Sequence, residues 1–200
     1  MPKALSEKEK SIIRTRLLVE AEQGLKIYGA KKTTVDLLVS RVNIPKGTFY
    51  LFYQSKELLF YELFRKKHDE IQDSFLKKME PIRNNVSISA LTNLIFTIYQ
   101  ELDQSFLLKF VASGDLELVL RKLSFQEMEK HIERDDLMME ELIKMIPHID
   151  KNKHKEYSGA LRIALASILH KDEIGKDIFD GALKLTISGI VTKMFQGDEQ

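Results

Sequence analysis

Residues 31–59 read KKTTVDLLVSRVNIPKGTFYLFYQSKELL, and this stretch decides the fold of the N-terminal part. Two short helical segments meet at Asn43, which tolerates the left-handed conformation that ends a helix. Pro45 suits the first turn of the next helix. That second helix contains Gly47, Thr48 and several aromatic residues, which are poor or middling helix formers. The pattern predicts a helix-turn-helix, and the composition indicates that something other than helix propensity selects its second helix.

Apolar residues continue at helical spacing on both sides of this stretch. We expect a first helix through Ile13 to Tyr28 that ends at Gly29, a second capped by Thr33 with Asp36 as a capping-box variant, a third over about 45–52, and a fourth after an N-cap at Ser55 that continues to about Lys78. Further helices are expected over about 87–102, 105–112, 115–145, 151–169 and 174–195. No segment is typical of a strand with hairpin turns.

The predicted fold is therefore all-α, with about nine helices in total. We divide the chain into a three-helix helix-turn-helix domain over 1–54, a connecting helix over 55–80 and a larger helical C-terminal domain over 81–200.

The composition narrows the possible classes of protein. The 200 residues include 44% hydrophobic residues, enough for a substantial core, and no cysteine, so disulfides and thiolate chemistry are excluded. Apolar runs are shorter than a membrane span, and the first ten residues have no apolar signal-peptide core. A cytoplasmic location is expected.

Charge is segregated along the chain. Residues 1–67 contain 14 Lys and Arg against 7 Asp and Glu, a net charge of +7, whereas the remainder contains 17 against 23, a net charge of −6. A basic first third indicates contact with a polyanion, although chance clustering is the alternative.

The predicted third helix separates into two faces. Phe49 and Tyr53 are four residues apart and are expected in the core. The opposite face carries Lys46, Gly47 and Tyr50, where glycine permits close approach to a duplex and the polar groups can reach base edges or phosphate. Thr34 and Lys56, each in the first turn of a neighbouring helix, are further candidates for phosphate contact.

The run from Lys31 to Leu59 resembles the DNA-binding domain of the TetR family of transcriptional regulators. The matching features are Thr-Thr-Val at the start of helix two, the apolar-Pro-Lys-Gly-Thr turn, the following aromatics, and Ser-Lys-Glu at the start of helix four. Two positions depart from the family pattern, namely Asn43 in place of a common glycine and Phe52 in place of a polar residue.

The resemblance implies phosphate contact for Thr34, Tyr50 and Lys56, and base or groove contact for Lys46, Gly47, Thr48 and Leu51. Phe52 is expected to make an apolar contact with sugar or a thymine methyl group. The full predicted DNA-binding set is Thr33, Thr34, Lys46, Gly47, Thr48, Tyr50, Leu51, Phe52 and Lys56.

The resemblance also implies a homodimer on double-stranded DNA and a C-terminal pocket for a small-molecule effector. Small residues in the last two predicted helices favour a four-helix dimer interface, with packing inside one subunit as the alternative. The predicted dimer residues are Ala160, Ala164, Ser167, Gly181, Leu185, Ser188 and Gly189. The candidate ligand residues, which ordinary core packing would also explain, are Phe96, Tyr99, Phe106, Phe110, Phe125 and Met128.

A metal or enzyme function is disfavoured. Glu127, His131 and Asp135 share one helical face, and His148 and His154 lie around Pro147 with Asp150, but neighbouring charges favour a solvated surface. No nucleophile-elbow, zinc-protease, P-loop or dinucleotide motif occurs, so we expect no catalytic residue, metal or cofactor.

The sequence thus predicts a transcription regulator, most simply a repressor that binds a palindromic operator as a homodimer and is released by a ligand. Two alternatives stay open. The first is a DNA-binding regulator without a small-molecule inducer, controlled by a protein partner, and the second is an all-α enzyme or metal-binding protein with an incidental helix-turn-helix.

Overall fold

The computed structural model describes residues 5–123, Ile146, Ile149 and 151–196, and these residues contain helices and no strand. The α-helices are α1 (Glu7–Lys32), α2 (Val35–Val42), α3 (Lys46–Tyr50), α4 (Lys56–Met79), α5 (Ile88–Asp103), α6 (Phe106–Ala112), α7 (Asp115–Leu120), α8 (His154–Ala166), α9 (Lys171–Ile174) and α10 (Lys176–Gln196). Short 3-10 segments occur at Glu80–Ile82, Lys151–Lys153 and Ser167–His170. The all-α prediction is confirmed for the described residues.

Helix α1 begins with a capping box and contains a break near its end. Ser6 and Glu9 exchange the reciprocal hydrogen bonds of the box. The helix was expected to end at Gly29, and Gly29 does leave the helical conformation with φ 73°, but a helical turn resumes and continues to Lys32. The break therefore lies at the predicted residue, although the helix does not stop there.

Helices α2 and α3 begin and end through local backbone chemistry. The N-cap of α2 is Thr34, whose side chain accepts a hydrogen bond from the Leu37 amide at 3.2 Å, so the predicted N-cap at Thr33 is wrong by one residue. Asn43 has φ 58° and ψ 55°, which confirms the left-handed end of α2. Helix α3 has only five residues, with Pro45 as its N-cap and Leu51 as its C-cap, so it is shorter than the predicted helix over 45–52.

The chain divides into two compact units. The first unit comprises Met1–His68 with Phe106–Met128, and the second comprises Asp69–Ser105 with Glu129–Gln200. Helix α4 supplies residues to both units. The predicted domains group the residues differently, since α6 and α7 belong to the same unit as the helix-turn-helix.

The core of the first unit is built from α1, the α2–α3 pair and the start of α4. Its fully buried side chains include Leu17, Leu38, Phe49, Leu59 and Phe60. Burying such large apolar side chains contributes about 1.5–3 kcal/mol each. This packing holds α3 in place and leaves its opposite face outside the core.

A polar cluster joins α1 to α4 beside this core. Arg14 donates two hydrogen bonds to Glu62, at 2.8 and 2.7 Å, and the Tyr53 hydroxyl donates to the same carboxylate at 3.0 Å. The bonds to Glu62 raise the pKa of Arg14, and burial together with the Glu62 charge raises the pKa of Tyr53. Tyr53, three residues after the end of α3, is thus anchored by its buried ring and by its hydroxyl.

The end of α1 is also bound by α6 and α7. The Ala30 amide, freed by the break at Gly29, donates to the buried Asp115 carboxylate at 2.7 Å. Lys109 donates from α6 to the Lys26 carbonyl at 3.1 Å. These bonds satisfy backbone groups that a helix end leaves without intrahelical partners.

The second unit packs α5 against α10, with α8 beside α10. Its buried residues include Leu91, Ile95, Leu161, Ile187 and Val191. Lys171 connects α9 to α5 through a 2.7 Å ion pair with Asp103. Ser87 caps α5, and α5 confirms the predicted helix over 87–102 to within one residue at each end. The predicted helix over 151–169 is divided into the 3-10 segment Lys151–Lys153, α8 and the 3-10 segment Ser167–His170, and the predicted helix over 174–195 corresponds to the end of α9 and to α10. The part of the predicted 115–145 helix beyond residue 123 lies outside the described residues.

Among residues 5–123 and 151–196, no helix combines the length and the apolar character needed to cross a membrane.

Candidate nucleic-acid interface

Helix α3 is positioned by its buried aromatic residue and by the turn before it. Phe49 is fully buried and lies 5.8 Å from the Tyr53 ring, centre to centre, so the predicted inward face is confirmed. The Ile44 amide donates to the Val39 carbonyl at 3.0 Å, which closes the turn after α2. The helix is short, but Phe49 holds it to the core and the turn before it is bonded to α2.

The outward face of α3, together with its C-cap Leu51, exposes large side chains to solvent. Leu51 is 76% exposed and Tyr50 is 50% exposed, both large side chains that normally gain by burial. A Cβ atom built on Gly47 would meet no atom within 4 Å. Internal packing therefore does not require glycine at this position, although glycine weakens a helix.

Three other predicted DNA-binding residues are also exposed or partly exposed. Thr34 is exposed, and because its side-chain oxygen accepts the Leu37 amide, its hydroxyl hydrogen stays available to donate. Thr48 and Phe52 are partly exposed. These positions agree with the predicted interface, whose DNA contacts stay predictions.

Two members of the predicted set have internal roles. Thr33 is fully buried and its hydroxyl donates to the Gly29 carbonyl at 2.8 Å, so we do not retain Thr33 in the interface. The Lys56 ammonium donates to the carbonyls of Ala30, Lys31 and Thr33, at 2.6, 3.3 and 3.1 Å. A lysine has three N–H donors, and these three bonds use all of them.

Lys46 has a partner that the sequence reasoning missed. Its ammonium lies 2.9 Å and 3.1 Å from the two carboxylate oxygens of Asp36 in α2. This hydrogen bond raises the pKa of Lys46. The sequence offers no signal for this pair, since helix capping accounts for Asp36 by itself and the two residues lie ten positions apart on different helices.

The described candidate ligand residues do not line one cavity. Phe106 and Phe110 lie in the first unit, where they border a cavity of about 90 Å³ next to Gly29 and Asp115. Tyr99 lies in the second unit and is buried, with its hydroxyl donating to the Leu161 carbonyl. Burial raises the pKa of Tyr99. Phe96 is partly exposed beneath the Lys184 ammonium, and Phe125 and Met128 lie outside the described residues.

The second unit also has an open groove of about 600 Å³ between α5 and α10. None of the described candidate ligand residues borders it. Its lining comprises Ile88, Ser89, Thr92, Asn93, Gly181, Lys184, Leu185 and Ser188. Three of the predicted dimer residues therefore border a concave surface.

The predicted dimer residues lie mainly on the outer surface of the second unit. Leu185 is 76% exposed, and a Cβ atom added to Gly181 or Gly189 would meet nothing within 4 Å. Ala160, Ser167 and Ser188 are partly exposed. Ala164 is buried and packs within its own subunit. Among these positions, packing inside the subunit accounts for Ala164 but not for the two glycines.

The residues weighed as metal ligands receive no support from the described part of the chain. Glu127, His131, Asp135, His148 and Asp150 lie outside the described residues. Within the residues that the structure does describe, no three His, Asp or Glu side chains form a group that could hold a metal ion.

Solved structures share this arrangement of helices. A protein of Mesorhizobium loti assigned to the TetR family of transcriptional regulators superposes with a TM-score of 0.66 at 14% identity, covering 93% of this chain and 98% of that one. A TetR-like transcriptional regulator of a Rhodococcus species superposes with a TM-score of 0.54 at 16% identity, covering 98% and 100%. The chain has the TetR-family fold.

The sequence match with a relative covers a shorter part of the chain than the structural matches do. No family model matches the sequence. An uncharacterized HTH-type transcriptional regulator of Bacillus subtilis, YhgD, is 39% identical over 72 residues. That match spans 36% of this chain and 38% of the relative's length. YhgD and the two solved proteins with the TetR fold are all described as transcriptional regulators.

Proposed function

We propose that this protein is a sequence-specific, DNA-binding transcription regulator of the TetR type. The observation that carries the proposal is the outward face of α3, where Tyr50 and Leu51 are exposed beside a glycine that no internal contact requires. In a helix-turn-helix, this second helix enters the major groove. The net charge of +7 over residues 1–67 supports attraction to DNA.

The contacts proposed on this face fall into two classes. Thr34 and Tyr50 hold phosphate through their hydroxyl groups, which fixes the register of the protein on the duplex. Lys46 and Thr48 reach base edges, while Leu51 and Phe52 make apolar contacts such as those with a thymine methyl group. Thr33 and Lys56 are left out because their polar groups bond within the protein.

The experiment that tests DNA binding is selection of duplexes from a random library by the purified full-length protein, followed by affinity measurements at several salt concentrations. We expect Tyr50→Phe to lower the affinity for selected and for scrambled duplexes by a similar factor, because a phosphate contact carries no sequence information. Thr48→Ala is expected to change the selected sequence as well. If no duplex is enriched over the library, or if both variants bind as the parent does, the assignment of α3 is wrong.

We also propose that the protein acts as a homodimer on a palindromic operator. A two-fold dimer places its recognition helices in successive major grooves, about 34–36 Å apart. The exposed stripe Ile178, Gly181, Leu185 and Gly189 on α10, together with the 75% exposed Ile163 on α8, supports a self-complementary apolar surface.

Leu185→Glu is expected to convert the dimer to a monomer, because two copies of an introduced charge would be buried near the two-fold axis. The monomer is expected to bind a selected palindromic duplex at least about 100-fold more weakly, since it contacts only one half-site. Sedimentation velocity and anisotropy measure the two effects. Gln100→Glu, which adds the same negative charge at an exposed position of α5, serves as the control. A dimeric Leu185→Glu variant would contradict this interface.

For regulation, we propose a repressor that an effector releases from DNA. Helix α4 contributes residues to both units, so an effector that favours one packing of its second half can change the placement of α3 relative to its copy in the dimer. Operator affinity falls when that spacing no longer matches one helical turn.

A regulator controlled by a protein partner is the second candidate, and one observation favours it. Tyr99, Phe106 and Phe110, candidates for the ligand pocket, are buried, and the cavity of about 90 Å³ that Phe106 and Phe110 border is smaller than the roughly 300 Å³ of a small-molecule site. The two candidates differ in the factor that releases the selected duplex, which is a small molecule in the first and a protein in the second.

A further inference from the structure

The ion pair between Lys46 and Asp36 lies at the start of the proposed recognition helix. Both carboxylate oxygens approach the ammonium, at 2.9 and 3.1 Å, and the pair joins α3 to α2. The Lys46 side chain is 52% exposed and that of Asp36 is 72% exposed. The pair is therefore held in solvent, on the same side of the molecule as the groups proposed to meet DNA.

An exposed pair of this kind is weak enough to exchange partners. Such pairs contribute about 0–1 kcal/mol, so a better acceptor can take the lysine from the carboxylate. A phosphate is a poor competitor here, because the negative charge of Asp36 repels it as it approaches. A base-edge acceptor carries no net charge and has a fixed position, so it can replace Asp36 only where the sequence presents it.

Stabilisation of the N-terminus of α2 does not by itself explain the ion pair between Lys46 and Asp36. An acidic residue in the first turn of α2 favours the helix N-terminus, which accounts for an aspartate at this position. It does not account for a lysine of the next helix held by both oxygens of that aspartate. The cross-helix pair indicates a role in controlling Lys46.

Resting on the proposed DNA-binding function, we infer that Asp36 is a specificity-determining residue that keeps Lys46 from the phosphates of non-operator DNA. On non-operator duplex, Lys46 stays on Asp36 and adds nothing to affinity. On the operator, Lys46 transfers to a base-edge acceptor such as guanine O6 or N7, the commonest partner of a lysine in the major groove. Asp36 thus lowers affinity for the wrong sequences more than for the right one, which is how repulsive contacts produce specificity.

Asp36→Asn tests this inference in the full-length protein. The probes are a duplex selected by the parent protein and a scrambled duplex of the same composition. We expect affinity for the scrambled duplex to rise about fivefold or more, with affinity for the selected duplex changing less than about twofold. The slope of log affinity against log salt for the scrambled duplex is expected to steepen by about 0.9, the value for one additional phosphate contact.

Two controls separate this effect from a general change of charge. Glu117→Gln removes one negative charge from α7 in the same unit and is expected to leave the ratio of the two affinities unchanged. In the background of Lys46→Met, Asp36→Asn is expected to lose its effect on that ratio, because the lysine it restrains is absent. Asp36→Ser provides a second variant that removes the carboxylate.

The outcomes are distinguishable. A fall in the ratio of selected to scrambled affinity that depends on Lys46 supports the inference. An equal change for both duplexes, no change, or a change that persists without Lys46 overturns it while leaving DNA binding intact. If the parent protein itself binds no duplex, the proposed function fails and this inference fails with it.

Discussion

Gly47→Leu is expected to reduce affinity for a selected duplex more than about 100-fold while the protein stays folded. A Cβ atom at this position meets nothing within 4 Å, so the new side chain has space inside the free protein. On DNA it would occupy the gap between α3 and the groove, and the contacts of Lys46, Thr48 and Tyr50 would all be pushed away together. A displacement of the whole face costs more than the loss of one base contact, which is worth about 1–3 kcal/mol.

A smaller substitution should separate folding from binding most clearly. Gly47→Ala is expected to leave the free energy of unfolding unchanged or to raise it by up to about 1 kcal/mol, because alanine is the better helix former. The same change should weaken DNA binding about tenfold. A substitution that stabilises the free protein and weakens DNA binding shows that stability does not explain the native residue, and here it would assign Gly47 to contact with DNA.

Urea denaturation and fluorescence anisotropy on the selected duplex measure the two quantities. Gln23→Leu, at an exposed position of α1, controls for the addition of an apolar side chain to the same unit. Binding by Gly47→Leu within about twofold of the parent would contradict the close approach of α3 to DNA, since about 0.4 kcal/mol is too small for a steric conflict.

Lys56→Met is expected to destabilise the first unit by about 2 kcal/mol, because backbone carbonyls lose their hydrogen bonds to a charged donor. The Lys56 ammonium donates to three carbonyls at the end of α1, and the Ala30 and Thr33 carbonyls among them are bonded in partly buried surroundings. A positive charge at the C-terminal end of a helix also interacts favourably with the helix dipole. Methionine keeps an unbranched apolar stem but provides neither donors nor charge.

Amide hydrogen exchange at residues 30–33, together with urea denaturation of the full chain, measures this loss. Lys66→Met, an exposed lysine on the same helix, makes the same change in net charge. If Lys56→Met matches Lys66→Met in stability and differs from it only in DNA affinity, the phosphate contact first inferred from the sequence is the correct role of Lys56.

Helix boundaries were predictable from the sequence where neighbouring residues determine them. Ser55 and Ser87 cap α4 and α5 through bonds to amides three residues ahead, and Asn43 ends α2 in the left-handed conformation. These interactions span a few residues, so the local sequence contains them completely. The exception, Thr33 for Thr34, arose because adjacent threonines have equal capping chemistry and only burial distinguishes them.

The two faces of α3 were predictable because helical periodicity alone assigns Phe49 and Tyr53 to the side opposite Tyr50 and Leu51. The partners of its charged neighbours were not. Lys56 reaches carbonyls about 25 residues earlier in the chain, and Asp115 binds an amide 85 residues away. No periodicity or motif encodes such distances.

The sequence by itself determined an all-α chain, the position of the helix-turn-helix and the orientation of its second helix, because propensity, capping and periodicity act over one or two turns. Only the tertiary structure decided which polar groups are left for a partner. It occupied all three donors of Lys56, buried Thr33, and placed Asp36 against Lys46, since a side chain's free hydrogen-bonding capacity depends on every group that folding brings within about 3 Å of it.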